Sequence, residues 1–185
     1  VSIGNMSGGA DLSLAGIETV NLAFSGSINN IDVVATSASS LTLTGSSDLT
    51  IGNLNTAGST SLETIDGSGL TGALTVTTGS MSAIGSSAVT VTSGAGADTV
   101  DVSGHTAGDL TVSLGAGNDI VTIALDSTDT LTGGTGTDTL ATTSAITVAG
   151  SVSGFETLQA NAAISQDMDN LSGNAFATVT SNVAG

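Results

Sequence analysis

The chain has 185 residues and no Lys, Arg or Cys, and its 16 acidic residues give a formal net charge of -16. This composition excludes disulfide bonds and thiolate metal sites, and it excludes nucleic acid and anionic lipid as partners because both are bound through basic side chains. The composition also favours a bound cation, since the chain has no Lys or Arg to offset the repulsion among its acidic side chains. The 26 Gly, the three Phe and the absence of Trp and Tyr predict an aliphatic core of short strands and tight turns.

Short segments in which apolar and polar residues alternate predict strands along the chain. In chain order these segments are residues 41–43, 49–51, 74–76, 89–91, 100–102 and 110–112. Their regular return from residue 89 onward favours a β-solenoid, in which each coil buries its apolar face against its neighbours. An antiparallel sandwich is the alternative, because its strands have a similar spacing. The expected divisions are a Ser/Thr-rich solenoid segment 1–92, a repeat segment 93–141 and a C-terminal β segment 142–185.

Three glycine-rich nonapeptides in the repeat segment follow the pattern G-G-x-G-x-D-x-apolar-x. They begin at Ser93, Leu114 and Gly133, and only the last has glycine at every glycine position. Their aspartates are Asp98, Asp119 and Asp138, which are 21 and 19 residues apart. This spacing predicts that the three turns stack on one edge of a solenoid. Asp109 and Asp129 fall between them without a preceding Gly-x-Gly, so the opposite edge is the weaker candidate.

The nonapeptides resemble the calcium-binding RTX repeats of bacterial proteins exported by type I secretion, whose fold is a parallel β-roll. The Glu-Thr segments at Glu18, Glu63 and Glu156 are similar to segments that flank such repeats in RTX-type surface-layer proteins. The resemblance implies an all-β parallel β-roll or β-solenoid, secretion to the bacterial cell surface, and self-association into a surface lattice.

The resemblance also implies how calcium is held. One ion is expected between the turns of Asp98 and Asp119, and another between those of Asp119 and Asp138. Calcium takes six to eight oxygen ligands at about 2.3 to 2.6 Å in loose geometry, which suits main-chain carbonyls combined with carboxylates. The implied metal positions are Ser93, Gly94, Ala95, Gly96, Asp98, Leu114, Gly115, Ala116, Gly117, Asp119, Gly133, Gly134, Thr135, Gly136 and Asp138. Carboxylates stacked about 4.8 Å apart repel by roughly 3.5 kcal/mol per pair at an effective dielectric near 20, so the edge is expected to open without the ion.

The remaining chemistry-bearing residues are predicted to be solvated. His105, the only histidine, lies in Ser-Gly-His-Thr and is predicted to be an exposed turn residue. The glutamates of the three Glu-Thr segments are predicted to be solvated strand-end carboxylates. A solvated loop is the favoured assignment for Asp167 and Asp169, with a further cation site as the alternative.

The motifs of catalysis are missing, since the chain contains no H-E-x-x-H, no G-x-S-x-G, no Lys and no second His. We therefore expect no enzymatic activity and no small-molecule substrate. The apolar runs are too short to cross a bilayer, which predicts no membrane insertion.

The expected function is that of a structural segment of a secreted surface-layer protein, with calcium driving folding and lattice assembly. The alternatives are an extender segment of a large RTX adhesin and an ice-binding solenoid. Ice binding is suggested by Thr-x-Thr at residues 42–44 and 90–92 and ranks last because the rows keep no fixed period.

Overall fold

The computed structural model describes residues 2–4, 10–27, 29–35, 37–54, 62–77, 88–105, 108–146, 151–161 and 168–182. Its regular elements are β-strands and one short 3-10 turn, Met168–Leu171. The predicted loop residue Asp167 lies outside the described residues, whereas Asp169 is exposed, as predicted, but lies in the 3-10 turn and not in a loop. No helix in the described ranges is long and apolar enough to span a membrane.

The strands form two parallel sheets. The first sheet contains, in spatial order, β1 (Ser2–Gly4), β3 (Thr19–Ser25), β5 (Ser40–Gly45), β7 (Thr64–Leu70), β9 (Ala88–Thr92), β11 (Asp109–Ser113), β13 (Thr130–Thr132) and β15 (Ser151–Ser153). The second sheet contains β2 (Ala10–Ser13), β4 (Asn29–Val34), β6 (Leu49–Leu54), β8 (Leu74–Val76), β10 (Thr99–Asp101), β12 (Ile120–Ile123), β14 (Thr139–Thr142), β16 (Thr157–Ala160) and β17 (Thr178–Ser181). The chain alternates between the sheets up to β16, which is the path of a β-solenoid.

The pairing confirms the predicted parallel β-solenoid and excludes the antiparallel sandwich for the described residues. Thr99 pairs with Ile120 and Ile120 with Thr139, so these coils are 21 and 19 residues long. The aspartate spacing had predicted the same lengths. The two coils between residues 40 and 90 are longer, since Ser40 pairs with Thr64 and Thr64 with Thr90. The sheets continue through residues 92 and 141, where the sequence had suggested divisions.

The core lies between the two sheets and follows from the alternation within each strand, because every second side chain points inward. In the first sheet the parallel register aligns one fully inward row of aliphatic residues. This row is Val20, Leu41, Ile65, Val91, Val112, Leu131 and Val152, all of them buried. Burying each such side chain stabilises the fold by about 1.5 to 3 kcal/mol. The rigid stack that results fixes the turns at its edges.

Candidate functional site: a carboxylate ladder at one edge

The three nonapeptide turns stack directly on one another, as their spacing predicted. Ala116 and Thr135 form a parallel bridge between the second and third turns. The N–H of Ala116 donates to the carbonyl of Gly94 at 3.0 Å, and the N–H of Thr135 donates to the carbonyl of Gly115 at 2.9 Å. Every predicted metal position therefore lies in one continuous edge of the solenoid.

The second and fourth positions of the nonapeptide are where the fold requires glycine. Gly115 and Gly134 have φ values of 85° and 107°, and Gly117 and Gly136 have 144° and 143°. A Cβ at any of the four would collide with a carbonyl oxygen of the preceding coil. The first position differs, because Gly133 is not in the left-handed region. This conformation agrees with the serine and leucine that occupy the position in the other two turns, although in the third turn a Cβ at Gly133 would collide with the carbonyl oxygen of Gly154 in the following coil.

The aspartates of the three turns are fully buried and form hydrogen bonds along the edge. Oδ1 of Asp98, Asp119 and Asp138 accepts an N–H from the residue one coil earlier. The donors are Leu74 at 2.7 Å, Asp98 at 2.7 Å and Asp119 at 2.9 Å, respectively. The next rung is Glu156, whose Oε2 accepts the N–H of Asp138 at 2.8 Å. We call these four residues, Asp98, Asp119, Asp138 and Glu156, the carboxylate ladder.

The position of Glu156 corrects the prediction that it is a solvated strand-end carboxylate. Its side chain is half-buried and is fixed against the third nonapeptide turn, because the parallel register places it beside Asp138. The prediction is confirmed for Glu18 and Glu63, which are exposed. The three Glu-Thr segments look alike in sequence, and only the coil on which each one stacks distinguishes them.

The three aspartates of the ladder differ in whether their second carboxylate oxygen, Oδ2, has a hydrogen-bond partner. Asp98 is fully bonded, because its Oδ2 accepts the N–H of Gly94 at 3.1 Å. Asp119 Oδ2 and Asp138 Oδ2 are buried and have no hydrogen-bond partner among the described residues. Leaving a buried charged oxygen unpaired costs more than about 1 to 3 kcal/mol. Lys and Arg are absent, so no such side chain can supply the missing partner, and a bound cation can.

Burial also changes the protonation of the ladder. It raises the pKa of Asp119 to about 6, and the neighbouring charges of Asp98 and Asp138 add to this effect. Burial likewise raises the pKa of Asp98 and Asp138, and the Glu156 carboxylate contributes for Asp138. A bound cation would act in the opposite direction and keep these groups ionised.

The donor set fits a hard cation such as Ca²⁺. Within the described ranges, no group of three or more His, Asp or Glu side chains could hold a metal ion by itself. An ion on the ladder would therefore take most of its ligands from main-chain carbonyls, as calcium readily does. The carbonyls of Gly94 and Gly115 each accept one N–H from the next coil, and a carbonyl oxygen has a second lone pair. Asp119 and Asp138 would supply the charged oxygens.

The opposite edge contains a similar residue without an unpaired oxygen. Asp129 is buried, and its two oxygens accept the N–H groups of Leu110 at 3.0 Å and Asp126 at 2.8 Å. Asp109 is exposed. Among the described residues of this edge, no buried carboxylate oxygen lacks a partner, which agrees with the weaker sequence pattern.

His105 is buried, and the prediction of an exposed turn residue is wrong. Only 6% of its surface is exposed, and neither ring nitrogen has a hydrogen-bond partner in the described part of the chain. The turn closes when the N–H of His105 donates to the carbonyl of Val102 at 3.0 Å. Its polar neighbours in the sequence gave no indication that the ring would be covered.

No protein-family model, curated protein or solved structure matches the chain.

Proposed function

We propose that this chain is a structural, calcium-binding segment of a secreted bacterial surface-layer protein of the RTX type, in which calcium drives folding and lattice assembly. The observation that supports the proposal is that Asp119 and Asp138 each have a buried carboxylate oxygen without a hydrogen-bond partner in the part of the chain that the structure describes. They lie in a chain that has no Lys or Arg and a formal net charge of -16. Calcium is the preferred cation because it accepts carbonyls and carboxylates in irregular geometry, whereas Mg²⁺ demands a tight octahedron.

The bound ion would supply positive charge between coils, and the chain would hold the oxygens in place. The glycine turns bring neighbouring backbones close, and the ladder hydrogen bonds orient the carboxylates. Extracellular calcium modules bind at about 10⁻⁴ to 10⁻³ M, so such sites fill outside the cell and stay empty in the cytoplasm. Because binding is linked to folding, the chain would fold after export. Partial neutralisation would also lower the repulsion between copies in a lattice.

We expect Asp119→Asn to lose at least one bound calcium ion per chain. Asparagine keeps an oxygen that can accept the N–H of Asp98 but removes the charge, so the hydrogen bond between coils is preserved. Isothermal titration calorimetry on the refolded protein measures the stoichiometry. Asp11→Asn, an exposed carboxylate away from the ladder, is the matched control and should bind as many ions as the wild type. Equal stoichiometry in all three proteins would show that Asp119 binds no ion.

The face of the first sheet favours a second candidate function, ice binding. Two rows of polar side chains run in register across this sheet and are exposed or half-buried. One row is Thr19, Ser40, Thr64, Thr90, Thr111, Thr130 and Ser151. The other is Asn21, Thr42, Asp66, Thr92, Ser113, Thr132 and Ser153. Neighbours are about 4.8 Å apart across strands and about 6.6 Å apart along a strand, a regular array of mostly hydroxyl groups.

The irregular sequence period does not count against this candidate, because the strand pairing keeps the rows aligned even where the coils differ in length. If the face binds ice, the calcium-loaded protein should show thermal hysteresis, and Thr111→Lys should abolish it. Thr99→Lys, at an exposed position of the second sheet, should leave hysteresis unchanged. A wild-type protein without hysteresis would eliminate ice binding.

A further inference from the structure

The segment Ser153 to Glu156 forms a fourth stacked turn, although it has neither the Gly-x-Gly nor the aspartate of the nonapeptides. The N–H of Gly133 donates to the carbonyl of Ser153 at 3.0 Å, and the N–H of Glu156 donates to the carbonyl of Asp138 at 3.1 Å. Gly154 has a φ of 75°, the left-handed conformation also found in the nonapeptide turns. The edge that carries the ladder therefore extends one coil beyond the repeats.

The unpaired oxygen of Asp138 borders the space between the third turn and this fourth turn. A Cβ built on Gly133 would lie 2.8 Å from Asp138 Oδ2 and closer still to the carbonyl oxygen of Gly154. Two oxygens that bind one Ca²⁺ at about 2.3 to 2.6 Å are at most about 5 Å apart. The distances from this Cβ position to the two oxygens add up to less than that limit. Asp138 Oδ2 and the carbonyl oxygen of Gly154 are therefore close enough to share one ion.

The charges in this interval are of one sign. The carboxylates of Asp138 and Glu156 belong to neighbouring coils, and Oε2 of Glu156 accepts the main-chain N–H of Asp138. Their mutual repulsion contributes to the raised pKa of Asp138, after burial as the main cause. A cation between the two coils would pair with Asp138 Oδ2 and relieve this repulsion.

We propose that a calcium ion binds between the third and fourth turns, with Asp138 Oδ2, the Glu156 carboxylate and the Gly154 carbonyl among its ligands. The inference rests on the proposed calcium function and extends the site to a glutamate outside the nonapeptides. The same reasoning ranks the spaces between successive turns by how strongly each one needs an ion. The space beside Asp98 has the weakest need, because both oxygens of Asp98 already accept N–H groups.

The test compares Glu156→Gln with Glu63→Gln and the wild type by calcium titration calorimetry. Glutamine can still accept the N–H of Asp138, so the variant removes charge and keeps the contact between coils. Glu63 occupies the same place in an alike segment but is exposed, which makes it the matched control. We expect Glu156→Gln to bind one ion fewer per chain and Glu63→Gln to bind as many as the wild type. Equal stoichiometry for all three would overturn the role of Glu156, whereas a wild-type protein that binds no calcium would overturn the proposed function itself.

A second measurement on the unaltered protein does not depend on the folding of a variant. Because calcium also folds the chain, the comparison starts from the folded, calcium-loaded protein. In ¹³C-labelled wild-type protein, exchange of the bound calcium for Sr²⁺, which takes the same kind of oxygen ligands, should shift the side-chain carboxyl resonance of Glu156 together with that of Asp138. The resonances of Glu18 and Glu63 should stay in place. Exchange-dependent shifts at the aspartates with none at Glu156 would refute this site while leaving the nonapeptide sites intact.

Discussion

Without calcium, the protein is expected to become more stable as the pH falls from 7 to 5. The folded pKa of Asp119 is about 6, compared with an ordinary value of 3.8, so the folded state binds more protons than the unfolded state in this range. The stabilisation is complete below pH 3.8 and is lost as the pH rises through about 6. Asp98, Asp129 and Asp138 also have raised pKa values and act in the same direction.

The contribution of Asp119 alone is about 3 kcal/mol over the whole range, and roughly half of it falls between pH 7 and 5. The folded fraction, followed by circular dichroism in calcium-free buffer with EGTA at several pH values, measures the slope of stability against pH, and pH 5 stays above the sequence pI of about 4.1. Asp119→Asn should reduce the slope because it removes the titrating group. Saturating calcium should abolish the gain, since the ion binds the ionised carboxylates. Stability that rises with pH in EGTA would contradict this account of the ladder.

Gly115→Ala is expected to destabilise the protein far more than Gly16→Ala. The two glycines have similar φ values of 85° and 76°, so alanine costs each about 1 to 2 kcal/mol through its backbone conformation. At Gly16 the added methyl group meets nothing within 4 Å, whereas at Gly115 it would collide with the carbonyl oxygen of Gly94. That carbonyl accepts the N–H of Ala116 at 3.0 Å, so relief of the collision breaks a contact between coils.

The total cost of Gly115→Ala should exceed about 4 kcal/mol, a range that single substitutions reach only through a severe steric or electrostatic conflict. Chemical denaturation of both variants in calcium gives the difference directly, and the Gly16 variant corrects for backbone strain. Equal destabilisation by the two substitutions would mean that the coils at this edge are not packed as closely as the structure has them.

The stacking of the coils could be predicted because two independent periods agree. Alternation within strands identified the inward residues, and the spacing of Asp98, Asp119 and Asp138 gave the coil lengths that the register confirms. The two rows of polar side chains on the first sheet could not be predicted in this way, because their spacing in the chain is irregular. Only the paired strands show that Thr64 and Thr90 share a row.

The ladder could be predicted only in part, because its fourth rung depends on tertiary register. Glu156 has a local sequence similar to that of Glu18, and only its separation of 18 residues from Asp138 places its carboxylate beside the third turn. His105 is the clearest case of a residue whose local sequence is polar but whose side chain is buried. Which carboxylate oxygens already have partners is likewise a property of the packed edge and cannot be read from a motif.

Removal of calcium is the most direct test of the central claim that the ion organises both fold and assembly. The protein should be treated with EGTA while Mg²⁺ remains in excess, and followed by circular dichroism and electron microscopy as free calcium is varied. We expect the β signal and the ordered array to be lost together as free calcium falls through about 10⁻⁴ to 10⁻³ M, and to return when calcium is restored. An array and a β signal that both survive chelation would contradict the claim, because the carboxylate ladder would then be stable without its cation.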